Sequence, residues 1–254
     1  MKVTFLGTGT SQGVPVITCD CAVCTSLDFR DKRFRTSIHI ETEGTSLVID
    51  TGPDFRMQMI REGIKSLDAV LFTHEHKDHT AGLDDIRPYN FRQQKSMPVF
   101  GRKNVLDQIQ REYSYIFSAQ KYPGVPQVDC VEIDENPFHF NGTEITPIPV
   151  LHYKLPVLGF RIGDFSYITD ANFIPESSFK LLEGTETLVL NALQKESHIS
   201  HFTLEEAIIQ AQRIGAKNTY FTHISHKLGL HAEINKQLPE GIKLAYDGLT
   251  INLL

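Results

Sequence analysis

The chain has 254 residues, 41% hydrophobic and 22% charged, with 25 Lys+Arg against 31 Asp+Glu and a formal net charge of −6. That balance, with no long apolar run, excludes a fibre, a disordered tail and a membrane span, and it argues against a broad basic surface for nucleic acid. Eleven His and four Cys are the informative excess, because imidazole and thiolate are common metal ligands.

In chain order, the opening stretch is uncharged from Val3 to Cys19 but broken by Gly, Thr, Ser and Pro. It holds no signal-peptide core and predicts a cytoplasmic protein. A strand is predicted over residues 3–6. Gly7-Thr8-Gly9-Thr10-Ser11-Gln12-Gly13 follows, but its third Gly is one position late for a dinucleotide loop and no helix pattern succeeds it. A tight turn is favoured over a phosphate cradle. Cys19-Asp20-Cys21-Ala22-Val23-Cys24 is too compact for disulfides among its own thiols. Three soft ligands want a fourth, for which Cys130 and His226 are the candidates. Strands are predicted over residues 37–40 and 47–49, and a helix over 54–62. Asp50 is either a buried acid or a turn residue before Thr51-Gly52-Pro53.

A strand over residues 69–72 leads into His74-Glu75-His76-Lys77-Asp78-His79, with a helix expected to open near Thr80-Ala81-Gly82. His74 and His76 share a face only in extended or loop backbone, which sets them apart from a helical ligand pair. Asp78 and His79, being adjacent, are expected to point apart and so to suit two neighbouring ions. Arg87, within residues 82–90, is a candidate phosphate contact or a partner for Asp84 or Asp85. A strand at 99–100 and a helix at 103–113 precede the irregular stretch 115–127, which either borders a substrate entrance or is a passive loop.

The remaining strands are expected at 128–133, 145–150, 158–162, 167–168, 187–190, 219–221 and 250–253, and helices at 176–182, 203–214 and 230–238. Thr203 with Glu206 reads as a capping box. His152, Asp170 and His223 each follow a predicted strand, where ligand sites in α/β proteins gather. No Gly/Ser- or Pro-rich linker divides the chain, so a single domain over residues 1–254 is expected, with helices on the outer faces of sheets.

The His74–His79 motif, followed by isolated His152, Asp170 and His223, resembles the metallo-β-lactamase superfamily from about residue 3 to about residue 250. The resemblance implies an α/β fold, a four-layer αββα sandwich with a dinuclear site between its sheets. By it, His74, His76 and His152 correspond to the ligands of one ion, and Asp78, His79 and His223 to those of the other. Asp170 corresponds to the bridging carboxylate, and Asp78 counts as both ligand and catalytic residue. An Asp at the bridging position, where many β-lactamases carry Cys, demotes β-lactam hydrolysis. Asp50 resembles the buried acid that orients a ligand His.

The early C-x-C-x-x-C and the segment Thr222-His223-Ile224-Ser225-His226 are similar to the PhnP-type phosphodiesterases, known for 5-phosphoribosyl 1,2-cyclic phosphate. This implies a structural zinc knuckle at about residues 15–36, held by Cys19, Cys21, Cys24 and His226, and leaves Cys130 to core packing. His201, through His-Phe-Thr-Leu-Glu-Glu-Ala, matches a non-ligand His that protonates the leaving oxygen, with His198 as the fallback.

The function so implied is hydrolysis of a small (cyclic) phosphodiester through a metal-bridging hydroxide. Two active-site ions, zinc or manganese, and one structural zinc are expected. The rivals are a tRNA 3′-processing nuclease, an acyl hydrolase of thioesterase or lactonase type, and a non-catalytic zinc-stabilised binding module. No long basic arm is evident, so nucleic acid is the less favoured partner. No membrane association is expected, and a homodimer is compatible with the sequence.

Overall fold

The computed structural model describes residues 1–120 and 122–253. The first half runs β1 (Lys2–Gly7), β2 (Ser37–Thr42), β3 (Thr45–Ile49), α1 (Phe55–Arg61), β4 (Ala69–Leu71), α2 (Lys77–Thr80), α3 (Arg87–Gln93), β5 (Met97–Gly101), α4 (Lys103–Glu112), α5 (Ser114–Phe117) and β6 (Val128–Glu132). The second runs β7 (Phe138–Phe140), β8 (Thr143–His152), β9 (Leu155–Ile162), β10 (Phe165–Ile168), α6 (Glu176–Leu182), β11 (Thr187–Asn191), α7 (Leu204–Ile214), β12 (Asn218–Thr222), α8 (His231–Asn235), β13 (Ile242–Leu244) and β14 (Thr250–Asn252).

Two seven-stranded sheets result, in the orders β14-β1-β2-β3-β4-β5-β6 and β13-β12-β11-β10-β9-β8-β7. Each is mixed: β1–β2–β3 and β8–β9–β10 are antiparallel, while β3–β4–β5–β6 and β10–β11–β12–β13 are parallel. Parallel strands need both faces covered, and the residues comply. Val3, Phe5, Ile38, Ile40, Leu47 and Ile49 point inward to meet Leu158, Phe160, Phe165 and Tyr167 of the other sheet. Leu6, Val48, Val70 and Phe72 point outward onto Phe55 and Met59 of α1 and Val105, Leu106 and Ile109 of α4. Ile168, Leu188, Leu190 and Phe221 do the same beneath Ala207 and Ala211 of α7 and Ile234 of α8. The layers are therefore αββα, as expected.

Each strand expected from the sequence has a counterpart, but β7 and β13 were not expected. Both are three-residue edge strands, too short to show a period. α2 opens within the histidine motif rather than near residues 80–82, and residues 83–86 form only a 3₁₀ turn before α3. The helix expected over 230–238 contracts to α8, where the Asn235 side chain accepts the Leu244 N–H and turns the chain toward β13. α7 starts at its capping box as expected: Thr203 Oγ1 accepts the Glu206 N–H, and Glu206 accepts that of Thr203. Among the described residues no helix is long and apolar enough to cross a membrane.

Candidate active site

The topology brings the ends of β3, β4, β8, β10 and β12 to one edge of the sandwich, delivering Asp50, His74, His152, Asp170 and His223 to a common point. Asp50, Asp170 and His223 all take positive φ, at 65°, 55° and 55°. Left-handed backbone is costly outside glycine, and here three instances gather where strands hand over to site loops. The loops are fastened by buried side chains. Asn191 accepts the Ala171 N–H and donates to the Ala171 carbonyl, fixing the turn after Asp170, while Thr36 Oγ1 accepts the His223 N–H. Gly52 lies so close to the Asp78 carbonyl that a Cβ would collide with it.

The imidazoles are oriented by what stands behind them. Thr73 donates its hydroxyl to Asp50 Oδ2, so its oxygen accepts from His74 Nδ1 at 2.9 Å. Asp50 Oδ2 accepts from His79 Nδ1 at 2.7 Å, and the Ser200 carbonyl accepts from His152 Nδ1 at 2.8 Å. Each ring thereby commits its proton outward and turns the Nε2 lone pair inward. Asp50 is thus a buried acid, not a simple turn residue, and it is fully enclosed.

Inside this ring the donors fall into three groups, in each of which the atoms lie within 4.8 Å of one another: His74, His76 and His152; Asp78, His79, Asp170 and His223; and, overlapping both, His152, Asp170 and His201. Asp170 reaches both His79 Nε2, at 3.1 Å from Oδ2, and His223 Nε2, at 3.1 Å from Oδ1. Asp78 Oδ2 is 3.3 Å from His79 Nε2, so these neighbours converge instead of pointing apart. His79 Nε2 and His223 Nε2 are buried without a hydrogen-bond partner among the described residues. A lone pair facing carboxylate oxygens in a dry site repels them unless a cation lies between, so the donor set fits divalent metal. Glu75, the other acid of the motif, instead accepts from Asn104 at 3.0 Å.

The acids and imidazoles of the cluster are strongly coupled to one another. Burial pushes the Asp170 carboxyl upward, but His223 and His79 together hold it well below the carboxylate range. Asp78 behaves likewise: burial opposes and His79 and His223 prevail. Burial alone disfavours imidazolium at His79, yet Asp170, Asp78 and Asp50 raise it well above the usual value. His74 and His152 are pushed down, chiefly by burial.

His201 is 8% exposed, with its Nδ1 3.7 Å from Asp170 Oδ1 and no hydrogen bond. Its ring lies 4.6 Å from that of His152 and 4.7 Å from that of His223. Burial and then His223 push its pKa down to about 2. His198 is exposed, 5.1 Å from the His201 ring, and faces Ser200. Arg87 is tied to Asp84 and to the Gly124 carbonyl, both at 3.4 Å, which is the pairing alternative. The stretch 115–127 begins as α5 and is held there and through Tyr115 to Asp84; Lys121 lies outside the described residues.

Residues 8–36, between β1 and β2, carry three of the four thiols. Cys19, Cys21 and Cys24 place Sγ at 3.3, 3.4 and 3.5 Å from His226 Nδ1, a tetrad within 4.8 Å that could hold zinc. Backbone N–H groups of Val16 and Cys24 donate to Cys24 Sγ and Cys21 Sγ. The Cys24 amide and then His226 lower the Cys21 thiol to about 6, while burial raises Cys24 to about 11. Cys130 lies apart, on β6 against the outer core, in keeping with a packing role. Gly9 bridges both Arg35 and Ile224, so the glycine-rich segment is a close backbone crossing that ties the knuckle to the His223 loop. Beneath it, buried Arg33 donates to Thr8 and to the Ala245 carbonyl, and Asp247 accepts from Thr8 and from the Phe34 N–H.

Sequence reasoning missed the supports of the site: Thr73, Asn191, Thr36 and the Ser200 carbonyl. Only Thr73, directly before the motif, carried a positional hint.

Comparison with known proteins gives a consistent picture. Residues 45–224 match the beta-lactamase superfamily domain. The crystal structure of a diphosphatase from the PhnP family superposes with a TM-score of 0.93 at 41% identity, covering 100% of this chain and 98% of that one. An octanoyltransferase of Porphyromonas gingivalis is 40% identical over 252 residues, 98% of this chain but 51% of its own length. A ribonuclease Z of Mycobacterium sp. is 26% identical over 254 residues, covering 88% of this chain and 84% of its own. The chain thus spans about half the length of the first of these curated relatives. With the αββα layers and the strand-end His/Asp cluster, these matches establish that the chain belongs to the metallo-β-lactamase superfamily and is PhnP-like within it.

Proposed function

We propose that the chain is a single-domain, metal-dependent hydrolase of small phosphodiesters. The observation that carries this reading is the convergence of seven donors, six of them buried or half-buried and His76 exposed, with Asp170 shared between His79 and His223. His74, His76 and His152 would hold one divalent ion, Asp78, His79 and His223 a second, and Asp170 both. Zinc and manganese each suit such a His/carboxylate set. Cys19, Cys21, Cys24 and His226 would hold a structural zinc. The chemistry that two bound ions supply is Lewis acidity, which neutralises phosphoryl charge and makes water nucleophilic near neutral pH.

The chain's own residues supply the rest. Asp50 and Thr73 lock the tautomers of His79 and His74, and the Ser200 carbonyl locks that of His152. His201 is the proton donor to the leaving oxygen. Burial and His223 disfavour its imidazolium, and an anionic phosphate placed against the ring would favour it. Such a donor is worth about 10²–10⁴ in rate.

The PhnP-family diphosphatase at 41% identity supports phosphate chemistry. The octanoyltransferase name of the Porphyromonas relative favours one second reading, acyl hydrolysis, although half of that protein lies outside the match. Assay of the purified protein against an aryl phosphodiester, a cyclic ribose phosphate and a thioester separates the two. Turnover of the phosphodiesters is expected; turnover of the thioester alone would overturn the proposal.

A further inference from the structure

Beside the metal ligands stand three large apolar side chains that the chemistry does not use. Tyr153 is 48% exposed, Phe173 53% and Ile199 67%. They come from three loops: Tyr153 follows His152 at the β8–β9 hairpin tip, Phe173 is three residues past Asp170, and Ile199 two before His201. Single exposed apolar residues are ordinary, but three on adjoining loops at the rim of one site are not.

The loops are bound to one another. The Asn172 side chain accepts the Tyr153 N–H at 2.7 Å and donates to the Ile199 carbonyl at 3.1 Å. Leu151 and the 172–173 backbone exchange hydrogen bonds at 2.9 and 3.0 Å, and His152 reaches the Ser200 carbonyl. The three loops are thus braced against one another and against His152, which limits the ordering entropy lost when something lies on them. Lys154, at the same hairpin tip, holds its ammonium 5.3 Å from the Tyr153 ring centroid, adding a positive charge that suits an anionic ligand.

Resting on the phosphodiesterase reading, we propose that Tyr153, Phe173 and Ile199 form an apolar platform for a flat aromatic group carried on the substrate's phosphate. The enzyme then selects aryl or nucleoside phosphate esters over purely polar sugar phosphates. One ring face removed from water corresponds to about tenfold in Kd.

The test is calorimetric titration of the metal-loaded protein with phenylphosphonate and with methylphosphonate, in the wild type, in Tyr153→Ser/Phe173→Ser and in Ile199→Ser. Wild type is expected to bind phenylphosphonate about tenfold tighter, the ratio falling toward one in the double variant and in part in Ile199→Ser. Equal affinities in the wild type, or an unchanged ratio in the variants, would overturn the platform. So would a wild-type dimer, seen by sedimentation, that the double variant dissociates without altering the ratio. A phenyl preference in a protein that turns over no phosphodiester would instead overturn the hydrolase reading and leave the platform standing.

Discussion

The two ligand clusters of this chain solve different problems. In the knuckle, three thiols surround one His226 nitrogen and two of the sulfurs already accept backbone N–H bonds, so the set closes on itself. At the strand ends, seven donors crowd together, buried Nε2 atoms have no partner, and His201 stands by without contributing a hydrogen bond. A closed sulfur-rich tetrad suits a structural ion, whereas an over-supplied His/carboxylate set leaves room for substrate. They are three residues apart at His223 and His226, so chemistry and stability are separable but neighbouring.

The contrast is broken most severely at Asp170. Replacing it with Ala removes the acid shared by His79 and His223, and activity is expected to fall by at least about 10⁴ with loss of the active-site ions, as metal analysis and kinetics would show. His201→Ala is expected to keep every ion yet lose about 10²–10⁴ in turnover; unchanged turnover would remove its role as proton donor. Asp50→Asn leaves the ligand atoms in place but weakens the acceptor behind His79, with a fall of about 10–100-fold in metal affinity expected in a competitive chelator titration. Cys21→Ser should act on the other centre, releasing the structural ion and lowering the melting temperature while the strand-end ions persist. Selective loss of the latter would mean that the knuckle assignment is wrong. Smallest is Thr203→Ala, which removes the α7 cap for about 1 kcal/mol of stability.

Much of this was legible in sequence because metal chemistry concentrates rare residues. Four of the seven candidate strand-end ligands lie within six positions, and all four candidate knuckle ligands lie in two short segments. The four-layer sandwich was implied by the family resemblance, while the residues alone indicated sheets covered by helices, through short apolar runs such as Leu47–Ile49 and Leu188–Leu190. What stayed hidden depends on contacts made only in three dimensions. Nothing in the order of residues indicates that Asn191 clasps Ala171, or that Thr36 meets His223 across 187 positions. α3 was not expected although Pro88 marks its first turn, because at seven residues it is too short to show a clear helical period. Nor does the order of residues show that the side chains of adjacent Asp78 and His79 reach one point, which depends on their side-chain torsions.

The central claim, that the strand-end cluster is a two-metal hydrolytic centre distinct from the knuckle, is tested most directly by metal content measured alongside turnover. Protein purified without chelator is expected to carry about three divalent ions per chain, and mild chelation should abolish phosphodiester hydrolysis while about one zinc is retained. One ion per chain in a fully active protein, or activity that survives removal of all but the knuckle zinc, would contradict it.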